Sequence, residues 1–115
     1  MSECVFCKIA AGEIPANKII EDENIMIFHD ISPAAPVHLL VVPKKHIPTV
    51  ADCTVDDQAL LGNMVLMANR VADQLGLKEG YRLIINNGKI GGQEVFHLHM
   101  HLLSGSEPLG RLVQG

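Results

Sequence analysis

The residues of this chain best suited to chemistry stand together at His97-Leu98-His99-Met100-His101, followed by Leu102 and Leu103. Neutral imidazole attacks phosphorus directly, and a second imidazole hydrogen-bonds the phosphate as charge develops in the transition state. Side chains of a strand alternate between its faces, so one extended segment delivers both groups to one ligand. The same alternation predicts Phe96, Leu98, Met100 and Leu102 in the core, with the three histidines on the other face. At ~3.3 Å per residue His97 and His101 stand roughly 13 Å apart along the backbone, too far to share one metal with His99, though neighbours in the row can. A half-buried strand needs polar residues outside, but three imidazoles in a row fit a merely solvated face badly.

A second group is Cys4-x-x-Cys7, which has the spacing of two zinc ligands; His46 and His97 would complete a tetrahedral set. His99 and His101 would then stay available for catalysis. The competing expectation is that two cysteines on a short helix are buried apolar residues. An enzyme with zinc on a His-x-His pair is a weaker alternative, because it needs a third ligand and an open water position.

The elements that position these groups follow from the apolar patterns. Cys4–Ala11 forms a short helix stopped near Gly12, with Phe6 and Ile9 on its buried face, and Pro15 prevents its continuation. Lys18–Glu21 and Ile25–His29 are two strands of a hairpin turning at Asp22-Glu23-Asn24. Ser32–Pro36 is a turn, His38–Val42 a third strand ended by Pro43, and Lys44-Lys45 a basic pair compatible with a site rim. A long helix spans Val55–Leu75, with Thr54 as N-cap, Asp57 in the first turn and Gly76 as the stop. Its apolar line is Leu60, Met64, Met67, Val71 and Leu75, methionines serving as core fillers. A second line, Leu61, Val65, Ala68 and Ala72, makes the apolar surface wider than packing on one sheet requires. Burial against a two-fold-related copy is expected, the alternative being cover by the N-terminal helix. Tyr81–Ile85 is a fourth strand, and the loop Asn86–Gln93 leads into the histidine strand, the fifth. Gly88-Lys89 lacks the spacing and the following Ser or Thr of a Walker A loop, which excludes a nucleoside triphosphatase of that type.

The 115 residues fit a single domain, 1–115, with a modest core; 48% are hydrophobic and 19% charged, which argues for a packed globule. The net charge of -4 gives no general attraction to nucleic acid or to anionic membrane, so any phosphate binding must be local. The N-terminus has no basic region followed by an apolar run, and no stretch approaches ~20 apolar residues, so a cytoplasmic protein is expected. Three cysteines, an odd count, argue against a disulfide framework.

The pattern of three histidines separated by single apolar residues and followed by two more resembles the signature of the histidine triad (HIT) family, and matches it in full. Asn86, Gly91-Gly92-Gln93 and Val95, with His29-Asp30-Ile31-Ser32-Pro33 and Pro43-Lys44-Lys45-His46, resemble its Hint branch of nucleoside phosphoramidases in the bacterial form. The resemblance runs from Phe6 to about Gly110. It implies an α+β fold: a five-stranded antiparallel, HIT-like sheet with one long and one short helix, extended across a homodimer through the long helix and the Tyr81–Ile85 strand.

It also implies a hydrolase of purine nucleoside 5′-phosphoramidates, or of aminoacyl-adenylate-like nucleotides, working through a covalent nucleotidyl-histidine. In that scheme His99 is the nucleophile, His97 positions it through the main-chain carbonyl, and His101 and His46 bind phosphate and assist departure of the leaving group. Phe6, Ile9, Phe28 and Ile31 would line the nucleoside pocket, Asp30 would bind the ribose hydroxyls, and Asn86 and the Val95 main chain would meet the phosphate. Zinc on Cys4, Cys7, His46 and His97 would be structural, with no cofactor needed for catalysis. Alternatives are an Fhit-like diadenosine polyphosphate hydrolase, against which the Gly-Gly-Gln segment and the N-terminal element speak, or a zinc- and nucleotide-binding protein with little catalysis. Two departures bear on leaving-group preference: Glu94 stands where eukaryotic Hint proteins place serine, and the tail Pro108–Gly115 lacks their tryptophan-containing end.

Overall fold

The computed structural model describes residues 3–113; Met1, Ser2 and the last two residues of the tail, Gln114 and Gly115, lie outside it. Five strands, β1 (Lys18–Glu21), β2 (Ile25–His29), β3 (Val37–Pro43), β4 (Arg82–Ile84) and β5 (Met100–Ser104), form one antiparallel sheet in the order β1-β2-β3-β5-β4. β2 and β3 are buried along most of their length because both sheet faces are covered there. On one face Ile25, Ile27, Leu39, Val41, Leu98, Met100 and Leu102 pack with Met64, Met67 and Val71 of the long helix α2 (Gln58–Gln74). On the other, Met26, Phe28, Leu40 and Val42 pack with Phe6 and Ile9 of the short helix α1 (Val5–Ala10).

Two boundaries differ from those the sequence predicts. The long helix is preceded by a separate 3₁₀ turn, Val55–Asp57, because Asp57 folds back on its own entry: its carboxylate accepts the Thr54 N–H at 3.0 Å. Lys45 donates to the other carboxylate oxygen at 2.7 Å, and this ammonium holds the Asp57 carboxyl below the usual range. Gly76, at φ 74°, ends α2 as expected.

The fifth strand begins only at Met100, so His97 and His99 precede the ladder. Val41 pairs with Met100, and the same register would set Pro43 opposite Leu98. Proline has no N–H to give, so the ladder stops and the Leu98 N–H turns instead to the Ile47 carbonyl at 2.6 Å. Upstream of that break Phe96 leaves the core and is 43% exposed, contrary to the alternation expected of it.

The second apolar line of α2 is partly used within the chain: Ala68 and Ala72 are buried in the core, whereas Val65 and the neighbouring Leu66 are exposed. Helix α1 does not cover this line, since it packs on the opposite face of the sheet. Among the described residues no helix is long and apolar enough to cross a membrane.

Candidate functional site

Helix α1, the end of β2, the start of β3 and the segment 86–101 enclose a cavity of about 630 Å³ on the sheet face opposite α2. Its apolar wall includes Phe6, Ile9 and Phe28, with the fully exposed Ile31 at its rim. Asp30, Asn86, Val95, His99 and His101 also line it, so the residues assigned to nucleotide binding from the sequence converge on one space. Phe6 packs edge-on against Phe28, His97 and His99, tying α1 to the histidine segment.

The hydrogen-bond partners of the histidines fix which ring nitrogen carries the proton, because a carbonyl oxygen only accepts and a backbone N–H only donates. His99 Nδ1 lies 2.8 Å from the His97 carbonyl, so Nδ1–H donates there and Nε2 keeps a bare lone pair. His97 Nε2 lies 2.7 Å from the Pro43 carbonyl, so its Nδ1 is the bare nitrogen. The Ala34 N–H donates to His38 Nδ1 at 2.9 Å, which leaves the His38 proton on Nε2. That proton points to His101 Nδ1 at 2.8 Å, with Asp30 Oδ2 at 3.3 Å from the same nitrogen. His101 therefore holds its own proton on Nε2. Burial, reinforced by the neighbouring His99 and His38, pushes the pKa of His101 down to about 4, so it is neutral at physiological pH. One cavity wall thus presents a bare imidazole nitrogen at His99 and an imidazole N–H at His101.

The three histidines of the row divide between two sites. His97, fully buried, turns its bare Nδ1 to Cys4 Sγ at 3.3 Å, Cys7 Sγ at 3.6 Å and His46 Nδ1 at 3.1 Å. His46 also lies 3.2 Å from Cys7 Sγ. These four groups place two sulfurs and two imidazole nitrogens within 4.8 Å of one another, a donor set that suits tetrahedral zinc. Burial lowers the pKa of His97, which keeps the ligand nitrogen unprotonated, and the Pro43 carbonyl orients the ring from behind. Asp30, His38 and His101 are equally close, but a cation there would have to displace the proton of His38 Nε2 and break the Ala34 bond that fixes it.

Of the two places the sequence suggests for His46, beside Cys4, Cys7 and His97 or at the phosphate, the structure groups it with the cysteines and His97. It is exposed, does not line the cavity, and belongs with Cys7 and His97 because Pro43 ends β3 and turns the chain away from the cavity. His38 stands against His101 instead, and sequence reasoning passed over it as the first residue of a strand. Its signal was the alternation of β3, which puts His38 on the α1 face with Leu40 and Val42, where a buried histidine needs a polar partner. The basic pair does not reach the cavity either: Lys44 pairs with Glu21 and Lys45 with Asp57, both at 2.7 Å. Glu94 is exposed on the cavity lining.

Known proteins have a similar sequence and the same fold. Residues 11–108 match the model of the HIT domain family. Over 103 residues the chain is 50% identical to protein HitA of Neisseria gonorrhoeae, spanning 90% of this chain and 96% of that protein. Over 112 residues it is 46% identical to the purine nucleoside phosphoramidase of Escherichia coli K12, spanning 96% and 93%. A HIT family hydrolase from Legionella pneumophila superposes with a TM-score of 0.89 at 53% identity, covering 91% of this chain and 95% of the other. A histidine triad protein from Clostridium difficile gives 0.91 at 41% identity, covering 96% and 97%. With residues 11–108 matched by the family model and the fold matched over more than nine tenths of the chain, the chain belongs to the HIT family and is a hydrolase of that family.

Proposed function

We propose that this protein cleaves the P–N bond of purine nucleoside 5′-phosphoramidates, or the corresponding bond of aminoacyl-adenylate-like nucleotides, through a nucleotidyl-histidine at His99. The observation that carries the proposal is the pairing of opposite tautomers on one wall: bare Nε2 at His99 beside Nε2–H at His101. The His99 lone pair forms a bond to phosphorus as the P–N bond breaks, and the nitrogen leaves as the amine with a proton taken from solvent. Water then adds to phosphorus, the P–Nε2 bond breaks, and the nucleoside monophosphate departs with His99 restored. While phosphorus is attached, positive charge on the His99 ring is met by the His97 carbonyl at Nδ1. His101 donates to a phosphoryl oxygen, and His38, which accepts the Ala34 N–H and lies beside Asp30, fixes the His101 tautomer.

Phe6, Ile9, Phe28 and Ile31 form the nucleoside wall, and Asn86 and Val95 the phosphate end. Asp30, which already accepts the Ser32 N–H at 2.8 Å, has further lone pairs for the ribose hydroxyls. Zinc held by Cys4, Cys7, His46 and His97 would supply structure by fastening α1, and with it Phe6 and Ile9, to the histidine segment. Such thiolates belong to a reducing compartment, which supports a cytoplasmic location. The test of substrate class is a panel of purine nucleoside phosphoramidates assayed beside diadenosine polyphosphates. Phosphoramidates should be turned over faster by at least about tenfold in kcat/KM; preference for the diadenosine compounds would replace this assignment with the Fhit-like one.

The active form in this proposal is a homodimer. β4 is the last strand of the sheet, and α2 leaves Val65 and Leu66 exposed, an edge and an apolar face suited to a second copy. Light scattering should give twice the chain mass of 12.5 kDa, that is 25 kDa. A persistent 12.5 kDa species at micromolar concentration rules the dimer out.

A further inference from the structure

The loop Asn86–Gln93 supplies backbone to the phosphate end of the cavity, yet three of its eight residues are glycine. Glycine carries the largest backbone entropy, so such a loop has to be held from outside if its peptide groups are to keep fixed directions. Gly91 cannot be replaced to stiffen it, since a Cβ there would stand 2.6 Å from the Asn87 carbonyl oxygen.

Gln93 supplies the hold. Its neighbours Gly92, Glu94 and Val95 line the cavity, but Gln93 itself is only 5% exposed and takes no part in that lining. Oε1 accepts the Gly88 N–H at 2.8 Å, and Nε2 donates to the Pro48 carbonyl at 2.7 Å and to the Val95 carbonyl at 3.0 Å. The Gln93 N–H also donates to the Gly88 carbonyl at 3.0 Å, so Gly88 and Gln93 are joined twice and the glycine loop is closed into a ring. Both amide hydrogens are spent on main-chain carbonyls, one in the segment after β3 and one in the segment before His97. A buried amide is stable only when so satisfied, and every bond it makes fixes backbone next to the phosphate end.

We infer that Gln93 is a positioning residue for the phosphoryl group: it touches no substrate and sets the backbone of Gly88–Val95 against which phosphate is placed. This rests on the proposal that the phosphoryl end of a nucleotide lies by Asn86 and Val95.

Gln93→Glu keeps the Oε1 acceptor and the shape but sets a carboxylate oxygen against two carbonyls, and Gln93→Met fills the same space without polar groups. Titrations with adenosine and with adenosine 5′-monophosphate, alongside turnover of an adenosine phosphoramidate, separate positioning from general loss of structure. Adenosine affinity should stay within about twofold of wild type, whereas monophosphate affinity and kcat should each fall about tenfold or more. Equal weakening of both ligands, or an unchanged kcat and monophosphate affinity in the Met variant, overturns the inference. Wild type that binds the monophosphate but cleaves no phosphoramidate defeats the functional reading alone, because the contrast between the two ligands still reports on Gln93. Wild type that turns over phosphoramidate, with variants showing no such contrast, defeats the inference alone.

Discussion

Replacing His99 with alanine should lower phosphoramidate turnover by about four powers of ten or more while leaving nucleotide affinity within a few-fold of wild type. The loss is large because no neighbour can take over. His97 has its bare nitrogen committed to the sulfur cluster, and His101 directs its bare nitrogen at His38. Affinity survives because Phe6, which meets His99 edge-on, is also held by Phe28 and His97, and Ile9 and Phe28 complete the wall. Steady-state assay with parallel titration of a nucleoside monophosphate makes the measurement, and near-normal turnover in the variant would remove His99 from the chemistry.

The second large effect concerns metal. Protein purified without chelator or affinity tag should carry close to one zinc per chain, bound by Cys4, Cys7, His46 and His97. A ligand at a thousandfold excess over its dissociation constant stabilises by about 4 kcal/mol, so stripping the zinc should lower Tm by on the order of 10 °C or more. Residual turnover well below the new Tm should persist, since His99 and His101 lie outside the donor set. Complete loss of activity with an unchanged Tm would mark the metal as catalytic, and absence of zinc in reduced protein supplied with it would refute the site.

Much of the sheet was legible in the sequence because the strands are short apolar runs bounded by Pro, Gly and Asp, a local signal. The break before Met100 was not, since it arises from Pro43, more than fifty residues upstream, failing to donate across the ladder. The cavity lining was named from the sequence through family resemblance; composition alone does not separate Phe28 in a pocket wall from Phe28 in a core. The exchange of His46 for His38 has the same root. His38 lies within β3 and meets His101 through the pairing of β3 with β5, whereas His46 follows the end of that strand and is carried to His97 by the course of the chain after Pro43. Tautomers were beyond the sequence altogether, being set by main-chain partners as distant as the Ala34 N–H in the turn before β3 and the Pro43 carbonyl at its end.

The central claim, that one bare imidazole nitrogen attacks phosphorus, is tested most directly by rapid quench of wild-type protein during turnover of a purine nucleoside phosphoramidate, followed by peptide mass spectrometry. The account predicts a transient nucleoside monophosphoryl mass on His99 and on no other residue, decaying as substrate is exhausted. The same mass on His101, His38 or His97 while turnover proceeds would contradict it.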